Sequence, residues 1–192
     1  MRRALGHALM LAFMLALCLL GTSAHAQDVT SESRRQADHV TLMAGVFIPT
    51  QGIGQTVSVG WFARPDALVD ADLQLGLVNI GLDDSSTSLS SQSLGLRWFL
   101  GNSFNGRIGL RHRLIEGDNT ILYRIGTEAS RLRDFGLDLA IGNRWQWSWF
   151  TLGVDWLGYF APVVHTSVKQ LALAQYYQLG LRYLSFSIGG AF

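Results

Sequence analysis

Phe135-Gly136-Leu137-Asp138-Leu139-Ala140-Ile141-Gly142-Asn143-Arg144-Trp145 is the stretch that decides the fold. Leu137, Leu139 and Ile141 recur at every second position. Asp138, Ala140, Gly142 and Arg144 fill the positions between them. A period of two sends the two sets to opposite faces of a β-strand. One face is bulky and apolar, and the other is small or charged. The same pattern recurs along the chain, and no apolar run after the N-terminal region approaches the roughly 20 residues of a membrane helix. In lipid every backbone polar group must be paired internally, so a spanning chain that is not helical has to close into a barrel. The expectation is an all-β, closed, up-and-down antiparallel transmembrane β-barrel.

Working outward from residues 135–145, seven more alternating segments appear, at 39–48, 55–62, 68–78, 92–100, 106–115, 149–159 and 181–192. Between Leu68 and Val78, Leu73, Leu75 and Leu77 face one way while Asp70, Asp72, Gln74 and Gly76 face the other. Leu94, Leu96 and Trp98 oppose Ser93, Gly95 and Arg97. Ile108, Leu110 and Leu114 oppose Arg107, Gly109, Arg111 and Arg113, and His112 interrupts the apolar row. Phe150, Leu152, Val154 and Trp156 oppose Thr151, Gly153 and Asp155. In the last segment Leu184, Phe186, Ile188 and Phe192 oppose Ser185, Ser187, Gly189 and Ala191. Eight strands in all are expected.

The connections after the first pair alternate in length. Those near Pro65, Asn102 and Gln146 are short, while 79–91, 116–134 and 161–180 are read as long loops. Bacterial barrels have short periplasmic turns and long outer loops, and an even strand count returns the C-terminus to the periplasm. Trp61, Trp98, Trp145, Trp147 and Trp149 lie near the short turns, as a periplasmic aromatic girdle requires. Trp156 is expected nearer the outer side.

The N-terminal region reads as an export signal. Arg2 and Arg3 precede an apolar run from Leu9 to Leu20, and Ala24-His25-Ala26 supplies the small residues of a cleavage site. Leu17 stands before Cys18, where a lipoprotein needs a small residue. The expected organisation is residues 1–26 as signal peptide, 27–38 as a flexible periplasmic segment and 39–192 as the barrel. Cys18 is the single cysteine, so the exported chain has no thiol for a disulfide, a metal or a nucleophile. Its charge is close to neutral and Lys169 is the only lysine, which leaves no electrostatic footprint for nucleic acid. No phosphate loop or nucleotide fingerprint is present, and neither His39 nor His112 has partner spacing for a metal. No cofactor is expected.

The inward faces collect Asp70, Asp72, Asp138 and Asp155 with Arg97, Arg107, Arg111, Arg113 and Arg144. An eight-stranded barrel is just wide enough for side chains to fill it. Unpaired charge is costly to bury, so these groups should pair. A packed polar filling that sets strand register is the first reading. A narrow ion path whose pairs exchange partners is the second, and a catalytic cluster the third. Inward glycines would make room for the long arginines.

The terminal stretch Ser185-Phe186-Ser187-Ile188-Gly189-Gly190-Ala191-Phe192 resembles the signal that bacterial outer-membrane barrels present to their assembly machinery, with Phe186, Ile188 and Phe192 as its apolar positions. Together with the strand pattern, this makes the chain similar to small barrels such as the membrane domain of outer-membrane protein A. The resemblance implies an outer-membrane location in a Gram-negative bacterium. It also implies lipid and lipopolysaccharide as neighbours, and assembly machinery as a partner during biogenesis. It brings no activity. His165-Thr166-Ser167 resembles the His-x-Ser element of lipid A deacylases, in which His is the base and Ser the nucleophile. The family's Asn after the Ser is Val168 here, and no acidic residue follows Ser167. A deacylase-like enzyme and a soluble barrel holding an apolar ligand are the rival readings to a non-enzymatic barrel.

Overall fold

A computed structural model describes residues 30–49, 52–79, 86–117, 131–165 and 180–192. It is a closed barrel in which every strand pairs antiparallel with its sequence neighbours and β1 closes on β8. The strands are β1 (Val40–Pro49), β2 (Gly52–Arg64), β3 (Ala67–Asn79), β4 (Ser86–Phe99), β5 (Phe104–Glu116), β6 (Arg131–Trp147), β7 (Phe150–His165) and β8 (Leu181–Ala191). One helix, α1 (Ser31–Ala37), precedes them. The alternation in the sequence becomes the alternation of burial: β6 switches between exposed and buried at every step from Arg131 to Gly142. The large exposed side chains include Leu73, Leu75, Leu77, Leu94, Leu110, Leu137, Leu139 and Ile188, all on the outer face. A soluble sheet would hide such rows. Here they form an apolar belt round the outside.

The strands run further into the loop side than alternation of apolar residues suggests. β4 starts at Ser86, within the expected loop 79–91, and Ser88 pairs with Leu77 and Glu116. β6 starts at Arg131, within the expected loop 116–134, and β7 continues to His165. Ladder hydrogen bonds extend there through hydroxyl and charged residues. Their outer faces need not be apolar, so the sequence signal fades before the strand does.

Three register shifts fall on the later strands, the first between Phe135 and Gly136, where Val163 is the extra residue on β7. Between Ile141 and Gly142 the β6–β7 register shifts, leaving Trp156 as the extra residue. Trp156 and Leu157 are therefore both exposed. Trp156 sits nearer the turn end of β7 than the loop end, which corrects its expected place at the outer side. Its indole Nε1 donates to Asn143 Oδ1 at 2.7 Å, so both polar groups on this outer face have a partner. On β8 the pairs Ile48–Leu184 and Pro49–Arg182 skip Tyr183, which turns Arg182 inward.

The expected flexible segment 27–38 is also corrected over its described part. Thr30 caps α1, its hydroxyl accepting from the Ser33 amide at 3.2 Å. Seven residues, all polar but Ala37, do not sustain a helix alone. α1 is held by what it docks against, as described next.

Candidate functional site: the ion-paired lumen

Two short turns, the entry into β1, the C-terminal residue and α1 meet at one mouth of the barrel. The His39 and Val40 amides both donate to the Phe192 carbonyl, at 2.7 and 2.9 Å, tying the chain entry to its last residue. Arg35 lies across the turns. Its Nε donates to the Pro65 carbonyl at 2.7 Å, and its terminal nitrogens donate to the carbonyls of Asn102 (2.8 Å) and Gly101 (3.2 Å). Its guanidinium stacks 4.0 Å over the Phe99 ring. Beneath it Phe62, Leu68 and Phe99 form a buried apolar cluster. Burial pushes the Arg35 guanidinium down to about 10, still cationic at neutral pH. Ser31 accepts from the Gln146 amide at 3.0 Å, and the Gln146 side chain donates to Asp38. The helix thus closes the turn-end mouth.

Above this cluster the lumen is charged. Asp70 on β3 accepts from Arg107 at 2.7 Å through one oxygen and from Arg97 at 3.3 Å through the other. Arg97 also holds Asp155 on β7 at 2.7 and 3.2 Å and donates to Asn105. Asp138 on β6 is fully buried and is shared by three arginines. Arg107 donates to it, as do Arg111 at 2.8 Å and Arg182 at 2.7 Å. Asp72 accepts from Arg111 at 3.2 Å. These pairs join β3, β4, β5, β6, β7 and β8 across the interior. The close approach needs glycine at Gly95, where a Cβ would stand 2.7 Å from the Arg107 guanidinium carbon.

Towards the loop end the character changes again. Arg113 donates to Asp134 at 2.7 Å and stacks 4.6 Å over Phe160. Leu89, Ile115 and Leu132, neighbours in register on β4, β5 and β6, are buried on the inner face. The interior is therefore charged in the middle and apolar at both ends. The cavity left in the charged zone offers about 40 Å³ to water. That is room for a few molecules rather than a water column.

All nine residues assigned to the lumen by alternation, Asp70, Asp72, Arg97, Arg107, Arg111, Arg113, Asp138, Arg144 and Asp155, face the interior. Eight enter ion pairs, and among the described residues Arg144 has no such partner. Sequence reasoning missed Asp134, Arg182 and Arg35. Asp134 lies four residues before Asp138 and continues its row, so extending the alternation would have found it. Arg182 is inward only because of the bulge at Tyr183. Arg35 belongs to a segment with no periodicity.

Trp61, Trp98, Trp147 and Trp149 are exposed at the turn end, and Trp145 is half-buried on the same face. Trp147 stacks on Phe150 with ring centres 6.0 Å apart. Ile188 and Phe192 are exposed and Phe186 half-buried on β8. His165 ends β7, while Ser167, Lys169 and the stretch 1–26 read as a signal peptide lie outside the described residues. Among the described residues no three His, Cys, Asp or Glu side chains gather to hold a metal.

No family model and no curated protein matches this chain. Among solved structures, it is similar to the N-terminal β-barrel domain of Pseudomonas aeruginosa OprF, with 14% identity and a TM-score of 0.49 over 81% of this chain and 98% of that one. It is also similar to Ail, the attachment invasion locus protein of Yersinia pestis, with 8% identity and a TM-score of 0.44 over 80% of this chain and 97% of that one.

Proposed function

We propose that this chain is a non-enzymatic outer-membrane barrel with a structural or interaction role, its lumen filled rather than open. The observation that carries this reading is the inversion of the barrel. Leucine rows cover the outside, while arginine–aspartate pairs fill the inside. A surface of that kind is stable only against lipid, and a closed barrel is the one strand architecture that leaves no backbone edge there. The tryptophans at the turn end lie where indole settles at a headgroup boundary. Phe186 and Ile188 on the outer face of β8, with Phe192 just after it, suit recognition by assembly machinery, and lipid and lipopolysaccharide would be the neighbours afterwards.

The charged middle between two apolar ends argues against free passage of solute. Purified protein reconstituted in planar bilayers should give no steady ionic current, and fractionated cells should hold it in the outer membrane. A steady current would replace the structural role with a narrow pore. Protein that stays monodisperse without detergent would overturn the membrane assignment itself. Lipid A of unchanged acylation in cells with and without the gene is expected. Loss of an acyl chain that depends on His165 and Ser167 would favour the deacylase reading.

A further inference from the structure

Arg144 is the lumen charge the pairing leaves over. It is buried, it lines the central cavity, and its Nε has no hydrogen-bond partner. Among the described residues no carboxylate lies within ion-pair distance of it, although every other lumen arginine has one. Three of the four acids that share its cavity are engaged through both oxygens, and Asp72 accepts from Arg111 through Oδ2 while its Oδ1 has no hydrogen-bond partner. Both oxygens of Asp70 accept from Arg107 and Arg97, both oxygens of Asp155 accept from Arg97, and both oxygens of Asp138 accept from Arg182, Arg107 and Arg111. Apart from the Arg113–Asp134 pair, the described residues thus place five guanidinium groups in the lumen, those of Arg97, Arg107, Arg111, Arg144 and Arg182. Against them stand four carboxylates, those of Asp70, Asp72, Asp138 and Asp155. One positive charge remains uncompensated in a site shielded from solvent, where such a charge is costly.

We propose that the cavity beside Arg144 binds a small monovalent inorganic anion of chloride size. The space for water is about 40 Å³, several times what one water needs, and a halide is only slightly larger than a water molecule. The Arg144 side chain supplies the free donors. Ser58, Ser185 and Ser187 line the same cavity with hydroxyl groups able to donate. The neighbouring carboxylates do not repel the anion strongly because other arginines neutralise them. Bulky organic anions do not fit.

The test uses the full exported chain in detergent. Sodium chloride is exchanged for sodium gluconate at constant ionic strength, and the thermal midpoint is followed. A ligand that binds only the folded state raises the midpoint as its concentration passes its dissociation constant. The wild type should show a rise in chloride that saturates, and crystals soaked in sodium bromide should show an anomalous peak beside Arg144. Arg144→Met, which keeps an unbranched stem and removes the charge and the donors, should lose both the rise and the peak. Equal midpoints in the two salts overturn the proposal. So does a rise that survives in Arg144→Met, or a rise without a bromide peak beside Arg144. Should the variant fail to fold, the wild-type bromide peak decides alone: its presence there supports the site and its absence overturns it.

Discussion

The middle of the lumen and its turn-end mouth both bury arginine, and they do so by different means. In the middle, guanidinium groups meet carboxylates carried by other strands, so each pair depends on the register of the whole barrel. Asp138 alone ties Arg107 and Arg111 on β5 to Arg182 on β8. At the mouth, Arg35 meets the backbone carbonyls of Pro65, Gly101 and Asn102, which two tight turns present, and Glu32 and Asp66 favour its charge from nearby rather than through an ion pair. The first arrangement is a property of the closed barrel. The second is a clamp that one segment makes on its rim. The difference implies that damage in the middle is global and damage at the mouth is local.

The largest expected effect is from Asp138→Ala. It leaves three arginines short of a buried partner, and breaking a buried pair typically costs about 3–5 kcal/mol. The unfolding free energy of the refolded barrel should fall by that amount, seen as a lower denaturant midpoint with the cooperativity kept. A midpoint equal to wild type would mean that the middle is wet and its pairs are exchangeable, and the contrast with the mouth would vanish. Next comes Leu139→Arg, one residue along β6 and on the opposite face. A charge at mid-membrane on the lipid side costs about 2–4 kcal/mol. Refolding into lipid vesicles should suffer while Ala140→Ser, on the inner face, should be tolerated. Equal yields for the two would reverse the facing of β6.

Arg35→Ala sharpens the comparison from the other side. Hydrogen bonds from a charged donor are worth roughly 1.5–3 kcal/mol, and here they hold a seven-residue helix rather than a strand. Hydrogen exchange should speed up over Ser31–Ala37 while the barrel midpoint stays nearly constant. A fall in midpoint as large as that of Asp138→Ala would make the mouth part of the same cooperative unit. The smallest effect is expected from Asp66→Ala, which removes the exposed partner of Arg64 at the rim, an interaction worth at most about 1 kcal/mol. It removes the same charge as Asp138→Ala, so a difference between the two in thermal midpoint reports burial and not net charge.

The alternation of Leu137, Leu139 and Ile141 against Asp138, Ala140 and Arg144 was enough, by itself, to determine strand, facing and closure. A period of two together with lipid on one side permits no other paired architecture. The same logic placed Asp70, Asp72, Arg97, Arg107, Arg111, Arg113, Arg144 and Asp155 inside. Alternation is a local property, however, and it says nothing about distance across the lumen. Which arginine meets which aspartate depends on the stagger between strands far apart in sequence, so the sharing of Asp138 and the isolation of Arg144 were decided only in the closed barrel. Bulges at Trp156 and Tyr183 break the period without a sequence mark, which is why Leu157 and Arg182 sit where parity does not put them. The helix at Ser31–Ala37 has no apolar face to announce it. It forms because the turns at Pro65 and Asn102 offer carbonyls to Arg35, and those turns come together only once the strands have closed.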